Sequence, residues 1–317
     1  MATLECQAKF CVRQTGDKIA AVRVNRSVIF LKSRHDAAKA KSMDHSTRRS
    51  FLKDLSLGTA AFSVADHQEK PSVMPGRPSS GNVQTAASAP ANTMAIAAHP
   101  GDAFFAMGAP VALSIRLGGH GVFLSLSLGE RGSSTIAPGR YGVLQREAAQ
   151  SAAHRLGAQA EFLNYADGEI PASNEAKLAV CDLIRRHKPT LILTHWRGSW
   201  HKDHVACYEI VNDAIFYAGL PALIREEPAH NVPKLYFADN WEDATGFAPD
   251  TYLDITPVFD GWFEACALFP MWRGETGFRY DDYYRSLAVE RGCLSGFAHA
   301  VALMSPPEQL ARHVQAL

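Results

Sequence analysis

The sequence predicts an α/β fold in a single domain, with a mostly parallel sheet flanked by helices. Three observations predict it. From about residue 93, short apolar runs alternate with helix-length segments. The runs Met94–Ala98 and Thr190–Thr194 are strongly apolar, as strands covered on both faces require. Glycine or proline stands at most junctions.

Met94–Ala98 is the first expected strand, ended by His99-Pro100 because proline lacks an N–H and restrains its predecessor. A helix over Ala103–Leu117 stops at Gly118-Gly119, and Val122–Leu128 is the second strand. After a loop from Gly129 to Gly139, Tyr141–Leu156 is a helix closed by Gly157. Ala160–Leu163 is a short strand leading to Asp167-Gly168. Glu175–His187 is a helix, Thr190–Thr194 a strongly apolar strand, and Asp203–Tyr217 a helix closed by Gly219. Strands at Lys234–Ala238 and Tyr252–Ile255 follow, with helices at Pro257–Leu268 and Asp281–Arg291.

The chain ahead of this domain reads differently. Residues 1–42 hold one apolar run, Ala20–Leu31, interrupted by Arg23 and Arg26, and are expected to be an over-extended N-terminus. Residues 43–65 resemble a twin-arginine export signal: Ser46, Thr47, Arg48, Arg49, Ser50, Phe51, Leu52 and Lys53 precede a modestly apolar stretch. Ser63 and Ala65 are small enough for a cleavage site. Residues 66–92, rich in Pro, Ser, Ala and Gly, read as a disordered linker, and 93–317 as the folded domain. The expected location is periplasmic or otherwise extracytoplasmic, with the twin-arginine machinery as a partner.

Composition removes several function classes. The 317 residues carry 32 Lys+Arg against 32 Asp+Glu, so no broad electrostatic footprint for nucleic acid is expected. No run of about 20 apolar residues occurs, so no ordinary membrane span is expected. The six cysteines form no CxxC pair, which removes a cysteine zinc knuckle and a thioredoxin-like site.

Chemistry gathers in two loops that leave strands at what a parallel sheet makes the ligand-binding edge. The first is His99-Pro100-Gly101-Asp102, and the second runs from His195 to His204 and includes His201 and Asp203. Singly, each residue has a plain structural explanation: a strand-end histidine, a helix N-cap, a solvated pair. Together, imidazoles and a carboxylate at one sheet edge suit zinc or a similar metal, leaving a position for water.

These residues resemble the PIG-L/LmbE-type N-acetylglucosaminyl deacetylases, zinc hydrolases of a Rossmann-like fold. The family pattern Ala-His-Pro-Asp-Asp meets Ala98-His99-Pro100-Gly101-Asp102, and His-x-Asp-His meets His201-Lys202-Asp203-His204. Gly129-Glu130-Arg131-Gly132, Arg146-Glu147, Leu156-Gly157, Asp167-Gly168 and Arg291-Gly292 follow in family order. The resemblance implies zinc held by His99, Asp102 and His204, His201 supporting charge in the transition state, and Asp203 orienting a histidine. It implies a sugar-like or glycan substrate, for which Arg131, Trp196, Arg197 and Trp200 are the candidate contacts.

One departure cuts across the match. The family's general base is the first Asp of Asp-Asp, and Gly101 stands there; Phe104 replaces a Glu that opens the helix. Loss of a positioned proton acceptor costs about 10² to 10⁴ in rate. Two expectations stay open: a zinc-dependent N-deacetylase, slowed or served by a relocated acid from among Glu130, Asp167, Asp239, Glu242 and Asp243; and a catalytically inactive, exported carbohydrate-binding or scaffold protein.

Overall fold

The computed structural model describes residues 90–307 together with three strands near the N-terminus. The chain divides into two units, Met1–Val83 and Gln84–Leu317. In the first, β1 (Val12–Thr15), β2 (Ile19–Val24) and β3 (Ser27–Leu31) form an antiparallel sheet in that order. The twin-arginine segment at 43–65 and nearly all of the linker at 66–92 lie outside the described residues. Among the described residues no helix is long and apolar enough to cross a membrane.

The second unit is one α/β domain. Its strands are β4 (Thr93–Ala97), β5 (Gly121–Ser127), β6 (Gln159–Tyr165), β7 (Leu191–Thr194), β8 (Lys234–Ala238), β9 (Thr251–Asp254) and β10 (Ala300–Met304). They lie in the order β6-β5-β4-β7-β8-β10-β9. The first five are parallel, and β10 runs antiparallel between β8 and β9. The helices are α1 (Pro100–Phe105), α2 (Gly108–Arg116), α3 (Pro138–Leu156), α4 (Asn174–His187), α5 (Lys202–Ala218), α6 (Phe259–Cys266) and α7 (Tyr280–Ser295).

Residue alternation along the central strands fills two cores. Ala95 and Ala97 of β4 face a cluster with Phe104, Phe123, Trp262 and Trp272, beneath α1, α2, α3, α6 and α7. Met94, Ile96 and Ala98 face the other, with Leu124, Val180, Ile184, Ile210 and Val211 under α4 and α5. On that second face Arg185 is buried, and its guanidinium donates to the carbonyls of Tyr217, Ala218, Leu220, Leu223 and Glu227. It thereby ties the end of α5 to the turn after it, adding a second donor to the Tyr217, Ala218 and Leu220 carbonyls, which also accept backbone N–H groups.

Two differences from the sequence expectation have physical causes. The single helix expected over Ala103–Leu117 is two helices, broken at Ala106-Met107. Pro110 has no N–H for the Ala106 carbonyl, so the chain restarts and places Pro110 in the first turn of α2. Pro100 likewise opens α1 at its first position. Strand β10 was not anticipated: AVALM is too short for periodicity to separate strand from helix, and its pairing with β8 and β9 is long-range.

Candidate functional site

Strands β4 and β7 are parallel neighbours at the centre of the sheet, and the chain leaves them toward opposite edges: β4 leads to β5, β7 leads to β8. This is the point where a doubly wound sheet opens a crevice beyond its strand ends. His99 follows β4 as the N-cap of α1, and Asp102 lies in the first turn of that helix. His195 follows β7; His201 is the N-cap of α5, its Nδ1 accepting from the Asp203 N–H at 3.3 Å. His204 sits in the first turn of α5 and is fully buried.

The two loops converge. His99 Nδ1 lies 3.0 Å from Asp102 Oδ2, and His204 Nε2 lies 3.3 Å from the same oxygen. His99, Asp102 and His204 each place a ligand atom within 4.8 Å of the others. Two further triads adjoin this one, His99/His201/Asp203 and His195/His204/Asp243. The far nitrogen of His99 is held by carboxylates: Nε2 is 3.1 Å from Asp167 Oδ1 and 3.4 Å from Asp203 Oδ2. Asp203 in turn accepts from the backbone N–H groups of Gly168 (2.6 Å) and Ile170 (3.3 Å), tying the turn after β6 to the cradle.

A divalent metal fits these donors. His204 Nδ1 faces Asp243 Oδ1 at 2.8 Å, which holds a proton on Nδ1 and turns Nε2 toward the cradle, where a metal would take the place of the Nε2 proton. That Nε2 is buried and has no hydrogen-bond partner, although Asp102 Oδ2 and Glu242 Oε2 both stand 3.3 Å away. The field at this point favours positive charge. Burial opposes a charged His204, yet Asp102 and Asp243 raise its pKa to about 9. Burial likewise opposes charge on His99, and Asp102, Asp167 and Asp203 outweigh it. His201 goes the other way, down to about 4, through burial and the neighbouring His99.

The segment Asn240–Thr245 after β8 builds the other wall, and the sequence reading gave only two of its carboxylates as candidates. Asp243, fully buried, takes both His204 Nδ1 and His195 Nδ1 at 2.8 Å, and its pKa falls to about 2 because the two imidazoles outweigh burial. His195 Nε2 accepts from the Ala98 N–H at 3.1 Å, so this histidine is a neutral brace between the two loops. Asn240 donates to Asp102 Oδ1 at 3.0 Å. Glu242 reaches His204, and burial, then the Asp102 charge, push its pKa up to about 7. The backbone locks this wall to the β7–α5 loop: Thr245 N–H donates to Gly198 O, and Trp200 N–H to Glu242 O. A Cβ on Gly198 would stand 1.8 Å from Thr245 O, so only glycine allows that approach.

A cavity of about 420 Å³ opens over the cradle. His99, Asp102, Asp167, His201 and Glu242 line it, with Trp200, Trp241, Phe278 and Tyr280 as aromatic walls. No lysine or arginine is among its described lining residues. Trp200 is 68 % exposed at this edge, whereas Trp196 is buried against Phe237 and Met304 and donates to Thr245 O. Arg197 lies over the Trp196 ring at 4.8 Å. Arg131 braces the Asp167 turn, its backbone N–H donating to Asp167 Oδ2 and its guanidinium to Asp167 O and Glu169. None of these last three lines the cavity.

Gly101 lines the cavity, and a side chain there would start tightly packed on one side. A Cβ there would meet Phe105 Cε2 at 3.2 Å and Met271 Sδ at 3.3 Å. Among the five acids named as substitutes, Asp239 is paired with Arg291 at 2.8 Å, and Glu130 accepts from the Asp167 N–H. Asp243 bridges two histidines, and Asp167 has His99 on one oxygen and the Arg131 N–H on the other. Glu242 is the acid that faces both the cavity and His204.

Residues 94–215 match the family model described as PIG-L: GlcNAc-PI de-N-acetylase. The chain contains a PIG-L/LmbE-like deacetylase domain over residues 94–215. A 4-oxalmesaconate hydratase of Pseudomonas putida is 26% identical over 214 residues, 63% of this chain and 80% of that protein. Two solved structures share the fold. GalB, the 4-carboxy-2-hydroxymuconate hydratase from Pseudomonas putida, has a TM-score of 0.64 at 24% identity, covering 71% of this chain and 99% of its own. The N,N'-diacetylchitobiose deacetylase from Pyrococcus horikoshii has a TM-score of 0.60 at 18% identity, covering 71% and 86%. The family match stops before β8, so the wall carrying Asn240, Trp241, Glu242 and Asp243, and the one carrying Met271, Phe278 and Tyr280, lie beyond it.

Proposed function

We propose that this protein is a zinc-dependent hydrolase that removes an N-acyl group, acetyl in the first instance, from an amino-sugar conjugate. The observation that carries this reading is Glu242, a carboxylate at the cavity wall 3.3 Å from His204 Nε2, in a site whose usual base position is Gly101. His99, Asp102 and His204 are the residues to hold zinc. Bound there, the metal lowers the pKa of water and polarises an amide carbonyl. Glu242 takes the proton of the attacking water and returns it to the departing amine. His201, at the N-terminus of α5, supports the negative charge that develops on the carbonyl oxygen.

The cavity's charge favours a neutral sugar over the poly-acids named for the hydratase relatives. Asp102, Asp167, Asp203, Glu242 and Asp243 surround the cradle, and no described lining residue is a lysine or arginine. Asp102, Asp167 and Glu242 on the cavity wall, with no described lysine or arginine there to pair an anion, disfavour poly-anionic substituents. Aromatic faces at Trp200 and Trp241 suit a pyranose ring. The test is acetate release from N-acetylated amino sugars by zinc-loaded wild type and Glu242→Gln, beside hydration of an unsaturated dicarboxylic acid. We expect deacetylation by wild type, a fall of about 10² or more in kcat for Glu242→Gln with zinc retained, and no hydration. Zinc lost from Glu242→Gln would make that residue a ligand instead, and acetate release equal to free zinc would favour the inactive, binding reading.

The reading includes export: Arg48-Arg49 before Phe51-Leu52 supports passage by the twin-arginine route to the periplasm. Cell fractionation of an Arg48→Lys, Arg49→Lys double variant tests it, and undiminished export would overturn it.

A further inference from the structure

Two polar side chains at the cavity wall each carry an oxygen with no hydrogen-bond partner in the protein. Tyr141 and Gln145 lie four residues apart in the first turns of α3, hence on one face, and each is 2 % exposed. Both line the cavity. The Tyr141 hydroxyl and the Gln145 Oε1 are buried without a hydrogen-bond partner, a rare condition for buried polar atoms. Gln145 Nε2 is engaged by Met271 Sδ at 3.4 Å, which leaves Oε1 as the unmatched end of the amide. Met271 Sδ is also the atom nearest Gly101 from that side, so the pair stands beside the first metal-binding loop.

We propose that Tyr141 and Gln145 form a subsite for two neighbouring hydroxyl groups of the substrate ring. This deepens the deacetylase reading and rests on it for the identity of the ring. The donor set selects the ligand. Gln145 Oε1 only accepts, so its partner must carry an O–H or N–H. Tyr141 donates: burial, with Glu275 and Asp167 nearby, pushes its pKa up to about 12 and keeps the proton on. A carboxylate has no hydrogen for Gln145, and an alkyl group answers neither atom. Adjacent hydroxyls on a pyranose answer both, since each is donor and acceptor, and the same cavity is lined by Trp200 and by Trp241 and Phe278, the last two stacked on each other at 4.5 Å.

The experiment uses the zinc-loaded full chain. Calorimetry measures binding of glucosamine and of analogues each lacking one ring hydroxyl, to wild type, Tyr141→Phe and Gln145→Leu. Acetate release from N-acetylglucosamine is followed in parallel, and thermal melting confirms that each variant is folded. Wild type should bind each of two analogues, those lacking one or the other of two neighbouring hydroxyls, about tenfold more weakly, the worth of one hydrogen bond of ordinary strength. The matching variant should bind glucosamine about tenfold more weakly and lose that discrimination. The deoxy series on wild type needs no substitution, so it decides even if a variant fails to fold. Equal binding of all analogues by wild type, or full discrimination kept by both variants, would overturn the subsite. If discrimination is present but no acetate is released, the subsite stands and the deacetylase reading falls. Acetate release with no discrimination gives the reverse, and wild type that binds no sugar removes both.

Discussion

Gly101→Asp restores the family's carboxylate, and the structure says it will not restore a better enzyme. The new Cβ stands 3.2 Å from Phe105 Cε2 and 3.3 Å from Met271 Sδ, inside the ~3.5–4.0 Å of ordinary contact. Phe105 cannot easily yield, because its ring is packed 4.7 Å from Trp272 and 5.2 Å from both Phe269 and Tyr280. Overpacking of this kind costs about 1–3 kcal/mol. The added carboxylate also enters a site that already holds Asp102, Asp167 and Glu242. We expect a loss of about 2–3 kcal/mol, which for a domain of this size lowers Tm by about 4–12 °C. Gly101→Ala separates the causes: it has the steric contact without the charge, and about 1 kcal/mol of helix propensity in its favour, so it should lie near wild type to about 2 kcal/mol below. In acetate release, Gly101→Asp should gain no more than about threefold, because Glu242 already supplies the base. The assay is kcat/KM for an N-acetylated amino sugar with zinc content and Tm measured on the same samples. A rise of about 10² or more at unchanged zinc content is the size a newly positioned base confers; that result would show that Glu242 does not act as one.

Three further outcomes follow from the cradle and its supports. His99→Ala and His204→Ala should each lose most of their zinc by elemental analysis, while His201→Ala keeps it; full occupancy in both of the first pair would refute the ligand assignment. Asp243→Asn offers an N–H to one of the two imidazoles it now accepts from, so zinc affinity should fall by about 10- to 100-fold in a chelator competition, with an unchanged affinity counting against its role in orienting His204. Arg185→Met removes the guanidinium from five carbonyls, of which those of Tyr217, Ala218 and Leu220 keep a backbone N–H, and should lower stability by about 2 kcal/mol in urea unfolding, with zinc content unaffected in the folded protein; a loss below about 1 kcal/mol would mean that solvent replaces the guanidinium.

Much of the fold and half of the site are legible in local sequence. Apolar runs such as Met94–Ala98 and Thr190–Thr194, with glycine after Leu156 and Ala218, set the strands and helix ends, because burial on both faces and left-handed or open caps leave short-range marks. His99 with Asp102, and His201 with Asp203 and His204, are close in sequence because each set hangs on one strand-to-helix turn, so their spacing is a local fact too. Tertiary structure alone decided the rest. That Asp102 Oδ2 meets His204 Nε2 depends on β4 lying beside β7, a pairing no local pattern encodes. Glu242, Asp243 and Asn240 reach the cradle from the end of β8, and Tyr141 and Gln145 from α3; none has a neighbour in sequence that marks it as part of a site. Trp196 and Trp200 stand four residues apart in one loop, yet one is packed against Phe237 and Met304 and the other stands exposed at the cavity edge, a difference set by what each meets in the fold. Gly101 shows the division within a single residue. Its missing carboxylate is plain in the sequence, while the Met271 sulfur that crowds a Cβ there together with the nearby Phe105 ring comes from 170 positions away, brought there by packing.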